Sequence, residues 1–274
     1  MNQHQENSLS IKDLLPTSPF ALQTLPSLFI SHGSPIIALE NNATTQAMNK
    51  IGQNLPKPKL IIMMSAHWQS QHLEINGNPA PATWHDFNGF PSELYQIDYP
   101  AKSEPDVAES LAHQLQSLGI QASVNRLRPF DHGVWTPLMH LYPQADVPIV
   151  QISLPYHFDS YACYQLGAVF SSLRQEQVLI IGSGSVTHNL RQVRFDSCEV
   201  EDETSEFKHW LINQLKHDKP KALDWASHPL AKHNHPTPEH LLPLFFAMGA
   251  GDMMSVVHES FAHYSLGMDI YRFD

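Results

Sequence analysis

Three short apolar runs constrain this chain most. Residues 27–30, 60–64 and 178–181 are apolar on consecutive positions apart from Ser27 at the start of the first, and each is too short for a buried helix. A strand alternates its side chains between two faces, so an unbroken apolar strand needs cover on both faces. That demands a central sheet with layers above and below it. Each run stops at a polar, small-residue turn: Ser31-His32-Gly33-Ser34-Pro35, Ser65-Ala66-His67-Trp68 and Gly182-Ser183-Gly184-Ser185.

Between the runs lie segments with helical spacing. Residues 105–118 place Val107, Leu111, Leu115 and Leu118 on one face, and Gly119 ends the segment. Residues 161–173 and 204–215 read as further helices, and 149–154 as a fourth strand. Thr237, Pro238 and Gly249 suit the cap, first turn and stop of a last helix, and 265–273 reads as a closing strand. Strands alternating with helices predict an α/β fold, a single domain with a mostly parallel or mixed central sheet flanked by helices. Residues 1–24 read as a loosely ordered leader and 25–274 as the catalytic domain.

The charge balance, 16 Lys+Arg against 27 Asp+Glu, repels a phosphate backbone and argues against nucleic acid. No run approaches a membrane span, the first residues lack a signal-peptide layout, and two cysteines form no metal motif. A cytoplasmic protein, monomer or small homo-oligomer, is the expectation.

Histidine is the residue in excess, with 18 copies. Most need no role beyond the surface. Those at strand ends or helix starts are held rigidly enough to ligate a metal, and neutral imidazole suits Zn, Fe, Cu or Ni. His32 and His67 follow the first two runs, His188 follows the third, His132 sits in a compact Phe130–Gly133 turn, and His240 opens the last helix. Gly182-Ser183-Gly184-Ser185 matches neither a dinucleotide loop nor a serine-nucleophile elbow.

The ordered set Ser31–Pro35, Ser65–Trp68, Asp131-His132-Gly133, His188-Asn189-Leu190 and Pro236–His240 resembles the class III extradiol ring-cleavage dioxygenases, in the branch of 4,5-DOPA dioxygenase-like proteins. Trp84-His85-Asp86-Phe87, Gly89-Phe90-Pro91, Tyr95 and Tyr99-Pro100 fit the same branch, and the resemblance runs from Pro26 to the C-terminus. It implies one divalent ion, Fe(II) for activity and Zn(II) as a possible occupant. By resemblance His32, His67 and His240 match the metal ligands. His188 matches a ring at the metal that is a ligand or the acid/base, and His132 a histidine facing the substrate. The catalytic residues are His188, expected to transfer the protons, and His132, expected to support the substrate or the bound oxygen. The third ligand stays open between His240, His235 and Glu239, with His240 favoured. The implied reaction opens a DOPA-like catechol, a small aromatic diol, with O2. A zinc hydrolase and a non-catalytic metal- or ligand-binding protein on the same fold are the rivals.

Overall fold

In a computed structural model, residues 11–15, 23–195, 197 and 199–274 are described. The strands are β1 Ser27–Ser31, β2 Leu60–Ser70, β3 Leu73–Asn76, β4 Ala122–Asn125, β5 Ile149–Pro155, β6 Val178–Gly184, β7 Met254–His258, β8 Phe261–Ala262, β9 Leu266–Gly267 and β10 Ile270–Phe273. The helices are α1 Ile11–Leu14, α2 Ala43–Asn54, α3 Pro105–Ser117, α4 His132–Leu141, α5 Ser160–Phe170, α6 Asp202–His217, α7 Lys219–Leu223, α8 Ala231–Asn234 and α9 Leu242–Ala250.

Eight strands form one mixed sheet in the order β4-β3-β5-β2-β6-β1-β10-β7, and β8 pairs with β9 apart from it. The pairs at the centre, β5 with β2, β2 with β6 and β6 with β1, are parallel. β10 joins β1 antiparallel and closes that side with β7.

The apolar runs are explained by alternation. Leu60, Ile62 and Met64 of β2 enter one core with residues of α3, α5, α6 and α9. Ile61 and Met63 enter the opposite core with residues of α2 and α4. β6 divides in the same way, Val178 and Ile180 against Leu179 and Ile181. Both faces of these strands are therefore buried, as a layered α/β sheet requires.

Several boundaries differ from the sequence expectation. β2 does not stop at Ser65 but continues through His67 to Ser70. Its pairing with β5 goes from Met64–Ile152 directly to Gln69–Leu154, so β2 spends five residues where β5 spends two. The surplus bulges out of the ladder and carries His67 with it. β6 absorbs Gly182-Ser183-Gly184, which had read as a turn. The last helix begins at Leu242 with Pro243 in its first turn, so His240 lies in the turn before it, and Gly249 is inside the helix. Thr237 does not cap that helix; its hydroxyl donates to Glu239 Oε1 at 3.0 Å. The closing segment is two short strands, β9 and β10, with His132 at the start of α4 elsewhere in the chain.

Part of the expected leader is docked. Ile11 and Leu15 are buried in the larger core, and α1 packs on α3. The rest of residues 1–22 lies outside the described residues. Among the described residues no helix is long and apolar enough to cross a membrane.

Candidate metal centre

The carboxyl ends of β1, β2 and β6 and the turn before α9 converge, as ligand sites in open α/β sheets do. His32 follows β1 directly. Gly33 takes a left-handed backbone conformation, φ +66°, and a Cβ there would meet Met268 at 2.5 Å. Glycine at this position lets the chain turn away at once and leaves the His32 ring facing inward. His240 is placed by β6: Ser185 N donates to His240 O at 2.8 Å, and a Cβ on Gly184 would lie 2.0 Å from the same oxygen. The glycine is the space into which the His240 turn fits.

His67 is held through the bulge. The Ser65 hydroxyl donates to Asp131 Oδ1 at 2.6 Å, while Arg128 and Gln151 donate to Asp131 Oδ2 at 3.0 and 2.6 Å. Arg128 also donates to the His67 carbonyl at 3.1 Å, with its guanidinium over the rings of Trp68 and Trp84. Asp131 is fully buried and accepts from all three donors, so its charge is compensated and the bulge is pinned from below.

The ring tautomers follow from donor accounting. Pro137 lies inside α4 and has no N–H to offer the Gly133 carbonyl four residues earlier. The Ser183 hydroxyl donates to that carbonyl instead, at 2.6 Å. Its hydrogen is spent, so at 2.9 Å from His32 Nδ1 it must accept, and His32 carries its proton on Nδ1. His240 Nδ1 donates to Glu239 Oε1 at 3.0 Å, and His132 Nδ1 donates to Asp86 Oδ1 at 2.8 Å. In each of the three rings Nε2 is left with a free lone pair, and the partner of Nδ1 fixes the ring's direction.

Burial chiefly, and then the crowding of imidazoles, pushes His32 and His240 well below the ordinary histidine range and His67 down to about 4. Burial also brings His188 down to about 4. The rings are neutral at pH 7 and available to a cation. Burial pushes Asp86 up, but its hydrogen bonds with His132 outweigh this and hold its carboxyl below the usual range.

Spacing tests whether these residues suit one ion. A ring bound through a nitrogen about 2.1 Å from an ion has its centroid about 3.2 Å from it, so two such rings at a tetrahedral angle stand about 5 Å apart. The centroids of His32 and His67 are 4.9 Å apart, those of His67 and His240 5.0 Å, and those of His32 and His240 5.5 Å. His32 Nε2 and His67 Nε2 approach to 3.1 Å, lone pair towards lone pair unless a cation or proton intervenes. This trio fits a single divalent ion, and its all-nitrogen donor set suits Fe or Zn.

His132 and His188 flank the trio more closely than two ligands of one tetrahedral ion would stand. His132 is 4.0 Å from His67 by centroid, and His188 stacks on His240 at 3.5 Å with the planes 8° apart. One nitrogen from each of His32, His67 and His132 lies within 4.8 Å of the others, which brings His132 nearer the ligand nitrogens than a purely substrate-facing place would. Of the two alternative third ligands, His235 is engaged elsewhere, whereas Glu239 groups with His188 and His240, one ligand atom of each within 4.8 Å of the others. His235 Nε2 donates to Val186 O at 2.7 Å, with its ring edge-on to Phe207 and Trp225. Glu239 accepts from His240 and Thr237. The sequence reading gave no role to Asp86, Ser183 or Asp131. Asp86 stood inside a quoted motif, but its partner is 46 positions away, and no spacing rule connects such a pair.

A cavity of about 320 Å³ opens over the imidazoles, walled largely by Phe87, Phe90, Leu190, Val193, Phe195 and Leu266.

Residues 26–274 match the family model described as the catalytic LigB subunit of aromatic ring-opening dioxygenase. The chain is 35% identical to 4,5-DOPA dioxygenase extradiol of Escherichia coli K12, covering 88% of this chain and 89% of that protein. It is 34% identical to 4,5-DOPA dioxygenase extradiol of Beta vulgaris, covering 90% and 96%. A crystal structure of an uncharacterized Escherichia coli K12 protein superposes with a TM-score of 0.79 at 28% identity, covering 91% of this chain and all of that one. The chain belongs to the LigB family of aromatic ring-opening dioxygenases, which are metal-dependent oxygenases.

Proposed function

We propose that this protein is an extradiol dioxygenase that opens the ring of a catechol with O2, with Fe(II) as the active ion. Zn(II) would occupy the same imidazoles without redox chemistry. The observation that carries this reading is the trio His32, His67 and His240, spaced for one ion and open on one side to an apolar cavity. His32, His67 and His240 would hold the Fe(II), which would supply a Lewis acid that lowers the pKa of a catechol hydroxyl and brings the substrate and O2 together.

The chain's own residues handle the rest. His132 is built to take the proton of a catechol hydroxyl at Nε2, because Asp86 accepts from its Nδ1 and stabilises the imidazolium as it forms. His188, stacked on His240 and lining the same cavity, presents a neutral ring there and is the second proton-transfer group. Phe87 stands edge-on to His132 at 5.7 Å and, with the other apolar walls, keeps bulk water off the reacting atoms.

The test is anaerobic loading with Fe(II), addition of a catechol, and measurement of O2 uptake with the yellow ring-opened product. Turnover is expected, and Asp86→Asn should lower it by about 100-fold with metal retained. Full metal without O2 uptake from any catechol would overturn the reading in favour of a binding protein. Hydrolysis by the Zn(II) form would favour a hydrolase.

A further inference from the structure

The cavity over the metal centre has a chemical bias. About 150 Å³ is enough to hold a benzene ring, so a cavity of about 320 Å³ has room for a catechol and a substituent of similar bulk. No charged side chain is among the described residues that line it. Four of its polar groups are already committed: His32 to Ser183, His132 to Asp86, His240 to Glu239, and the Ser185 hydroxyl to Thr187 O at 2.8 Å, while Ser34, His67 and His188 also line it and are uncharged at pH 7. Asp86 and Glu239 each accept from an imidazole and are not among the residues that line the cavity. A carboxylate or ammonium on the substrate would meet no opposite charge among the described lining residues, which is costly in a largely apolar site.

The rim points the same way. Leu190 and Phe195 line the cavity yet are 66% and 68% exposed, two large apolar side chains left in water on the loop that carries His188. Clustered exposed apolar surface at a pocket mouth marks contact with an apolar ligand. The formal net charge of −11 adds a field that repels anionic catechols.

Resting on the ring-opening reading above, we infer that the substrate is a catechol bearing an uncharged, apolar substituent, held between Phe87 and Phe90 on one side and Leu190, Val193 and Phe195 on the other. A charged amino-acid head is the poorer fit.

The test measures binding to the full-length, Zn(II)-loaded protein without O2, by calorimetry, for catechol, propylcatechol and DOPA. Propylcatechol is expected to bind about 10- to 50-fold tighter than catechol, from burial of three further carbons, and DOPA no tighter than catechol. Leu190→Ala combined with Phe195→Ala should reduce the propylcatechol advantage by at least about threefold, and their exposure predicts an unchanged thermal midpoint. DOPA binding as tightly as propylcatechol would overturn the inference, as would an advantage that survives both truncations. The monophenols propylphenol and tyrosine form a pair that cannot be ring-opened as catechols. Their binding ratio decides the substituent class even if no catechol consumes O2, an outcome that would instead sink the ring-opening reading.

Discussion

Ser183→Ala should separate metal affinity from simple loss of stability. Ser183 is fully buried, donates to Gly133 O at 2.6 Å and accepts from His32 Nδ1 at 2.9 Å. Alanine strands both partners, because Pro137 has no N–H for that carbonyl and the His32 proton loses its acceptor. Each buried group left without a partner costs about 1–3 kcal/mol, so a loss of about 2–6 kcal/mol is expected from a total that in most domains is about 5–15 kcal/mol. The freed His32 ring should also weaken metal binding about 10- to 100-fold. Ser27→Ala is the control: Ser27 is equally buried and donates to Ala247 O at 2.7 Å, but touches no histidine. Denaturant unfolding reads stability, and competition with a chelator reads affinity. Ser27→Ala should lose stability alone, and Ser183→Ala both. Native metal affinity in Ser183→Ala, or an equal loss in Ser27→Ala, would refute the orienting role.

Three further outcomes follow from the same geometry. Asp131→Ala leaves Arg128 buried without its carboxylate and should cost about 3–5 kcal/mol in urea unfolding, with metal affinity falling as the His67 bulge loosens. Gly184→Ala puts a Cβ 2.0 Å from His240 O, so metal binding should drop while the far-ultraviolet circular dichroism keeps its native shape. Without metal, burial holds His67, His188 and His235 down at about 4, against about 6.5 in the unfolded chain. Between those values the unfolded state binds more protons, so stability is complete above about pH 6.5 and falls as pH drops towards 4, by up to ~1.4 kcal/mol per pH unit for each ring. Urea midpoints of metal-free protein at pH 7, 6 and 5 check this, and a flat series would contradict it.

The central strands were legible because burial on both faces writes itself as consecutive apolar residues, as in 60–64 and 178–181. His32 and His240 stood out because one follows a strand directly and the other lies in a turn packed on β6, whereas His67 sits on the bulge inside β2 and His132 opens α4. The course of β2 beyond Met64 was not, since Ser65, His67 and Gln69 are polar and the bulge depends on Asp131, a residue far along the chain. The start of α9 was misplaced for a local reason. Thr237 and Pro238 look like a cap and first turn, yet Pro238 O accepts from Leu241 and Leu242 in a turn that precedes the helix. That turn, with Gly184 beneath it, aims His240. The docking of Ile11 and Leu15 was not legible because α1 is only four residues long, too short to show a helical period. Hydrogen-bond partners such as Asp86 and Ser183 are tertiary pairings, and a single sequence carries no record of them.

The account's central claim is that this histidine centre opens an aromatic diol with O2. A single turnover of Fe(II)-loaded protein with propylcatechol under isotopically labelled O2, analysed by mass spectrometry, tests it most directly. The account predicts a ring-opened product carrying both labelled atoms in native protein and almost none in His132→Ala with its metal retained. Native, fully loaded protein that leaves both the catechol and the O2 unconsumed would contradict it.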